Sequence, residues 1–263
     1  MADGEIGSVL QDNCRYCSVR GTLPCPQALL SAYGDTIAHY GNVYPVSLFH
    51  IGEKLVPDWH ESDRYCLVRS GWVGLFSNRH DGTRQLLRLV LPGEAFWLRA
   101  NHHDTATKTA EALTAASCCW LSQAQMESVS RSDPAYLGGY VTGLERELAL
   151  TQDSMVNLGR RDAATQVTQF LVSLAMRVTG KDILLAPEPC KIPLTQRTIG
   201  EALGLTQIHV NRTIRHLRCE GVLTYQAGVF MPLDPVRISD MIDLTPEMRA
   251  LWLTRPLVRS QAS

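Results

Sequence analysis

The sequence predicts an α+β protein in three parts: an N-terminal antiparallel β-roll, a long dimerisation helix and a C-terminal winged helix-turn-helix. Three observations predict it. Short β-type runs broken by turn residues fill roughly 40–121, an apolar heptad pattern then runs from Leu137 to Leu158, and two short helical patterns followed by a hairpin occupy 193–231. At 263 residues the chain is long enough for two modest domains, each with a core.

Composition narrows the class. With 45% hydrophobic and 19% charged residues, a disordered or collagen-like chain is excluded. A net charge of −1 excludes a uniformly basic nucleic-acid coat but leaves room for a local basic face. The longest nearly apolar stretch, 86–91, is interrupted by Arg88 and falls far short of the roughly 20 residues of a membrane helix. The first residues lack a signal-peptide pattern, so a cytoplasmic chain with no membrane partner is expected. There the eight cysteines stay reduced and read as metal ligands or redox groups before disulfides.

Residues 1–30 stand apart as a cysteine-bearing segment, with Cys14, Cys17 and Cys25 among Gly21, Pro24 and Pro26 and little periodicity. Residues 31–130 carry the roll. Its β-type runs are 47–51, 65–68, 72–76, 85–91 and 113–121, and Asp81-Gly82 is a strong hairpin-turn signal. Residues 131–160 form the dimerisation helix, opened by Asp133 as N-cap with Pro134 in the first turn. Leu137, Val141, Leu144, Leu148, Thr151, Met155 and Leu158 alternate spacings of 4 and 3, the seam of a coiled-coil contact. Gly138, Gly139 and Gly143 each weaken that helix by up to about 1 kcal/mol relative to Ala, so it depends on a partner, best a second copy.

Residues 161–235 read as the DNA-binding domain. A helix runs through Val167, Phe170, Leu171, Leu174 and Val178, with Gly180 placed for a left-handed cap. Two short helices then flank a turn at Gly204, with Thr206 capping the second and Gly221 ending it. Val210, Ile214 and Leu217 form its buried stripe, while Asn211, Arg212, Arg215 and Arg218 fall outside it. A hairpin turning at Ala227-Gly228 supplies the wing. Arginine forks bind phosphate or guanine in bidentate fashion, and an asparagine reads adenine in the same manner. A basic face on the second helix of such a unit points to double-stranded DNA. The tail, 236–263, carries no assigned role.

Cys14-x2-Cys17-x7-Cys25 is the second constellation. Three thiolates within twelve residues can share a metal or cluster, and a fourth ligand would come from Cys118-Cys119, only one of which faces a given side of a strand. Four sulfurs suit zinc and iron–sulfur alike. Cys66, Cys190 and Cys219 read as small buried hydrophobes, and His102-His103 as a solvated loop pair. No Walker loop, nucleophile elbow or convincing carboxylate pair is present, and Cys14-x-x-Cys17 lacks a thioredoxin-like βαβ setting, so an enzyme is not expected.

From about Cys14 to Pro232 the chain resembles the CRP/FNR family of bacterial transcription regulators. Gly52, Gly71, Gly82 and Gly93 fit the turns of its cyclic-nucleotide-binding-like roll, and Leu203-Gly204-Leu205-Thr206 with Asn211-Arg212 resembles its recognition-helix signature. Cyclic-nucleotide members carry Gly-Glu-Leu and Arg-Ser in the phosphate cassette; here Gly93-Glu94 leads into Ala95-Phe96-Trp97 with no Arg-Ser after it, which disfavours a cyclic AMP receptor. The cysteines resemble those of FNR-type oxygen sensors, where three N-terminal cysteines and one from the roll hold a 4Fe–4S cluster. The resemblance places Cys14, Cys17, Cys25 and Cys119 as those ligands, with Cys118 as the fallback.

Two elements depart from the pattern, the recognition helix and the dimer seam. Ile208 stands where the family has a glutamate and Asn211 where it has a serine, with Arg212 matching. The half-site should therefore differ, a thymine methyl being a partner for Ile208. Thr151 stands where oxygen-sensing members place an aspartate that opposes dimerisation. The resemblance implies a homodimer that binds an inverted-repeat operator, with RNA polymerase as a partner, controlled by a 4Fe–4S cluster that answers oxygen or nitric oxide. The alternative keeps the DNA-binding function and replaces the cluster by haem, zinc, thiol redox or a small molecule.

Overall fold

The structure is a computed structural model that describes residues 46–55, 64–98, 107–132 and 134–254. Cys14, Cys17, Cys25, His102-His103 and Asp133 lie outside them. The chain divides into two compact units. One holds the strands before Ser77 and residues 89–144; the other holds Ser77–Arg88 and residues 145–255.

Seven strands build the roll: β1 (Val46–Phe49), β2 (Arg64–Ser70), β3 (Val73–Asn78), β4 (Arg84–Val90), β5 (Ala95–Leu98), β6 (Thr107–Ala112) and β7 (Ala116–Ser122). They form a four-stranded sheet in the order β1-β7-β2-β5 and a three-stranded sheet in the order β4-β3-β6. Alternation sends Phe49, Cys66, Val68, Phe96, Cys118 and Trp120 to one face of the larger sheet, where they share a core with Val73, Val90, Ala110 and Ala112 of the smaller one. The Asp81-Gly82 turn is present, Gly82 at φ 80° and Asp81 accepting from Thr83 N at 2.9 Å.

β5 and β6 were not legible as runs, and the expected 113–121 strand is shorter. Leu113 to Ala115 form a turn, because Leu113 N donates to Trp72 O and Trp72 N to Thr114 Oγ1. The two turns meet at Gly71, where a Cβ would stand 2.2 Å from Ala115 O. Glycine is required there by the close approach and by its φ of 77°.

Helix α1 (Gln123–Ser132) follows β7 and was also unexpected. Its start is a reciprocal cap, Gln125 N to Ser122 Oγ and Ser122 N to Gln125 Oε1. Helix α2 (Pro134–Arg160) is the long helix the heptads predict. In the first unit Tyr140 packs edge-on against Tyr65 and accepts from Trp97 Nε1 at 2.8 Å.

The second unit contains α3 (Ala163–Thr179), β8 (Cys190–Lys191), α4 (Gln196–Leu203), α5 (Gln207–Cys219), β9 (Leu223–Gln226), β10 (Val229–Pro232), α6 (Pro235–Met241) and α7 (Pro246–Leu253). Asp162 caps α3 through Thr165 N, and Gly180 closes it in the left-handed conformation as expected. Among the described residues no helix is long and apolar enough to cross a membrane.

Candidate nucleic-acid interface

Local chemistry builds the helix-turn-helix. Thr195 accepts from Thr198 N to open α4, Gly204 ends it at φ 66°, and Thr206 accepts from His209 N to open α5. The turn is tight: Leu205 N donates to Gly200 O, and a Cβ on Gly200 would stand 2.4 Å from Leu205 O. Val210, Ile214 and Leu217 are buried as predicted, joined by Thr213.

The opposite face of α5 carries Ile208, Asn211, Arg212 and Arg215 at spacings of three, four and seven residues, with Arg218 one turn on. All are exposed, and Ile208 is 81% exposed although apolar. Isolated exposed apolar residues are ordinary on protein surfaces, but this one shares a stripe with three arginines. Among the described residues no carboxylate pairs with Arg212, Arg215 or Arg218. Glu220, the first acid on that side, is bound by Arg237 at 3.2 Å. The face is therefore net positive.

The wing is a three-stranded sheet in the order β8-β10-β9, turning at Ala227 (φ 51°) and Gly228 (φ 74°). Tyr225 fixes it to the helical pair, its buried hydroxyl donating to the Leu194 carbonyl; burial pushes this phenol up to about 12. A groove of about 400 Å³ opens between α5 and the wing, lined by Asn211, Arg215, Arg218 and Gly228. One contact was missed from sequence: Gln196, the first residue of α4, accepts from Asn211 Nδ2 at 2.9 Å and so orients the asparagine.

Along α2, Leu137, Val141, Leu144, Leu148, Met155 and Leu158 are exposed by 39% to 66% in the single chain. Thr151 is exposed among them, its hydroxyl bonded to Glu147 O of its own helix.

The roll separates the paired cysteines. Cys118 is fully buried in the core beside Cys66, whose thiol burial and the Cys118 contact push well above the usual range. Cys119 lies on the other face of β7, in a small apolar cluster with Leu67, Val46 and Ala95. Cys190 is buried as expected, but Cys219 is exposed, a correction. It lies two residues past Leu217 and therefore off the buried stripe of α5. Among the described residues no cluster of three or more His, Cys, Asp or Glu residues is placed to hold a metal.

Comparison with known proteins accounts for both units. Residues 49–133 match the cyclic nucleotide-binding domain family, and residues 165–241 match the Crp-like helix-turn-helix domain family. The chain belongs to the CRP/FNR family. Among CRP/FNR relatives, the nitrogen fixation regulation protein FixK of Bradyrhizobium diazoefficiens is 28% identical, covering 86% of this chain and 92% of its own length. The transcriptional activator protein FnrA of Stutzerimonas stutzeri is 26% identical over 89% of this chain and 91% of its own. The FixK2 structure from Bradyrhizobium japonicum shares the fold with a TM-score of 0.64 at 23% identity, over 78% of this chain and all of that one. The protein is thus a CRP/FNR-type DNA-binding transcription regulator. Within its cyclic-nucleotide-type roll, Glu94 is buried and accepts from Leu91 N at 3.1 Å, bracing its own turn.

Proposed function

We propose that this regulator works as a homodimer on an inverted-repeat operator and is controlled by a 4Fe–4S cluster that answers oxygen or nitric oxide. Cys14, Cys17, Cys25 and Cys119 would hold the cluster. The observation that carries the reading is the separation of Cys118 from Cys119. The first is enclosed in the main roll core with Cys66, whereas the second, also buried, packs on the opposite face with Leu67, Val46 and Ala95. Four cysteine thiolates are the donor set such a cluster takes, and bound there it supplies an oxidation-labile cross-link.

The remaining roles fall to the chain itself. The exposed α2 seam pairs two copies, with Thr151 contributing no charge against pairing. Pairing sets the recognition helices about 34 Å apart, the span between successive major grooves. Ile208 meets a thymine methyl, Asn211 an adenine edge, and Arg212 a guanine, while Arg215 and Arg218 contact phosphate. RNA polymerase is the partner such a bound regulator addresses. The sensor can bias this equilibrium only by its differential affinity, so a hundredfold change requires about 2.7 kcal/mol in favour of the DNA-competent state.

Anaerobic purification with iron, sulfide and visible-absorption measurements tests the sensor. About four irons and four sulfides per chain, bleached by air, are expected. Cys119→Ser should lose the iron, and Cys118→Ala should keep it. A wild-type protein that stays colourless after reconstitution would remove the cluster, and haem with it, and leave zinc, thiol redox or a small molecule as the signal, with DNA binding untouched.

A further inference from the structure

The segment past residue 241 lies beyond the stretch that matches the helix-turn-helix family, yet it is built into the second unit. Trp252 on α7 is fully buried, and its indole Nε1 donates to Asp153 Oδ2 at 3.0 Å. The other oxygen of that carboxylate accepts from Gln169 Nε2 of α3, also at 3.0 Å. One carboxylate on α2 is thereby joined to two other helices. Arg161, in the two-residue elbow between α2 and α3, donates to Ile242 O at 2.6 Å. About one turn before Trp252, α7 is also anchored by the Arg249–Asp182 pair.

Such a cluster is a costly way to gain stability. A half-buried carboxylate loses hydration that two donors only offset, and apolar packing at the same place would stabilise at least as well. What directional bonds supply is a defined angle. Asp153 lies between Thr151 and Met155, so the bonds grip α2 within the turn that carries the dimer seam. α2 ends about two turns later at Arg160, and only Arg161 and Asp162 separate it from α3.

We propose that Trp252 and Asp153 are positioning residues for DNA binding. The strap formed by α6 and α7 sets the elbow between α2 and α3, and with it the separation of the two recognition helices in the dimer. The inference rests on the DNA-binding dimer and is independent of the sensor.

The test is the dependence of binding on half-site spacing. Duplexes carry an inverted repeat selected by the wild-type full chain from a random pool, with the half-sites moved apart or together by single base pairs. Trp252→Phe removes the N–H and keeps a ring; Asp153→Ala removes the carboxylate and leaves a strong helix former. Asp153→Asn keeps an acceptor for Trp252, and Gln169, whose Oε1 has no partner, can turn its amide to accept from the new N–H.

The strap predicts that Trp252→Phe and Asp153→Ala weaken binding about fivefold to tenfold at the preferred spacing and flatten the spacing profile. Base preference within a half-site and the monomer–dimer equilibrium stay as in the wild type, and Asp153→Asn restores the profile. If the two variants fold by circular dichroism and keep the wild-type spacing profile, the strap is packing alone and the proposal is overturned. Should Trp252→Phe fail to fold, Asp153→Ala decides, and loss of fold there as well overturns the proposal.

Discussion

Truncating Leu148 to Ala is the most direct probe of the dimer. Leu148 is the most exposed leucine of the seam, 59% open in the single chain, so most of what it can bury must come from a partner. The change removes three carbons, about 2.4 kcal/mol for complete burial. Scaled by the open fraction, that is about 1.4 kcal/mol per chain, and about 3 kcal/mol for a dimer that carries the change twice. The dimer dissociation constant should therefore rise by about a hundredfold. Alanine favours the helix, so the loss is not one of helix propensity. Sedimentation equilibrium over a concentration series reads the constant. Leu185→Ala is the control, since Leu185 is 79% exposed and lies off α2. The seam assignment fails if Leu148→Ala dimerises like the wild type, or if Leu185→Ala weakens the dimer equally.

Three further outcomes are expected. Arg212→Ala should cost about 1–3 kcal/mol of operator binding and relax one base position, with Gln196→Ala blurring the position read by Asn211; an unchanged selected motif would clear these residues of reading. Gly200→Ala should destabilise the DNA-binding unit by about 1–3 kcal/mol, because its Cβ meets the Leu205 carbonyl; a thermal midpoint equal to the wild type would show that the turn yields. Burial holds the Asp153 carboxyl above its ordinary 3.8 despite the bonds from Trp252 and Gln169 and the Arg161 charge. The stability tied to that raised value is complete below the unfolded-state value and is lost as pH rises through the folded one. The urea midpoint of the wild type should thus fall relative to Asp153→Asn as pH is raised from about 4 toward neutrality. A difference constant across that range would contradict it.

The DNA-binding unit was legible because its signals are short-range. Thr206, Gly204 and Gly180 act within one turn of their own helices, and the Val210, Ile214, Leu217 stripe follows from helical spacing. The same holds for the α2 heptads and the Asp81-Gly82 hairpin. Equivalent signals were present elsewhere. Ser122 with Gln125 opens α1, and Asp234-Pro235 and Thr245-Pro246 open the two tail helices in the manner expected for Asp133-Pro134. β5 and β6 gave no such signal, since a short strand is recognised by the neighbours it pairs with.

By itself the sequence determined the order of parts, the exposed face of α5 with Ile208, Asn211 and Arg212, and the exposed apolar stripe of α2. Each is set by residues within a few positions of one another. Only the tertiary structure decided which of Cys118 and Cys119 joins Cys66 in the main roll core and which packs with Leu67 on the other face, because that depends on how β7 is held between β1 and β2. It likewise joined Gln196 to Asn211 across 15 residues and Asp153 to Trp252 across 99. Pairings of that range are fixed by chain closure, which local spacing does not encode.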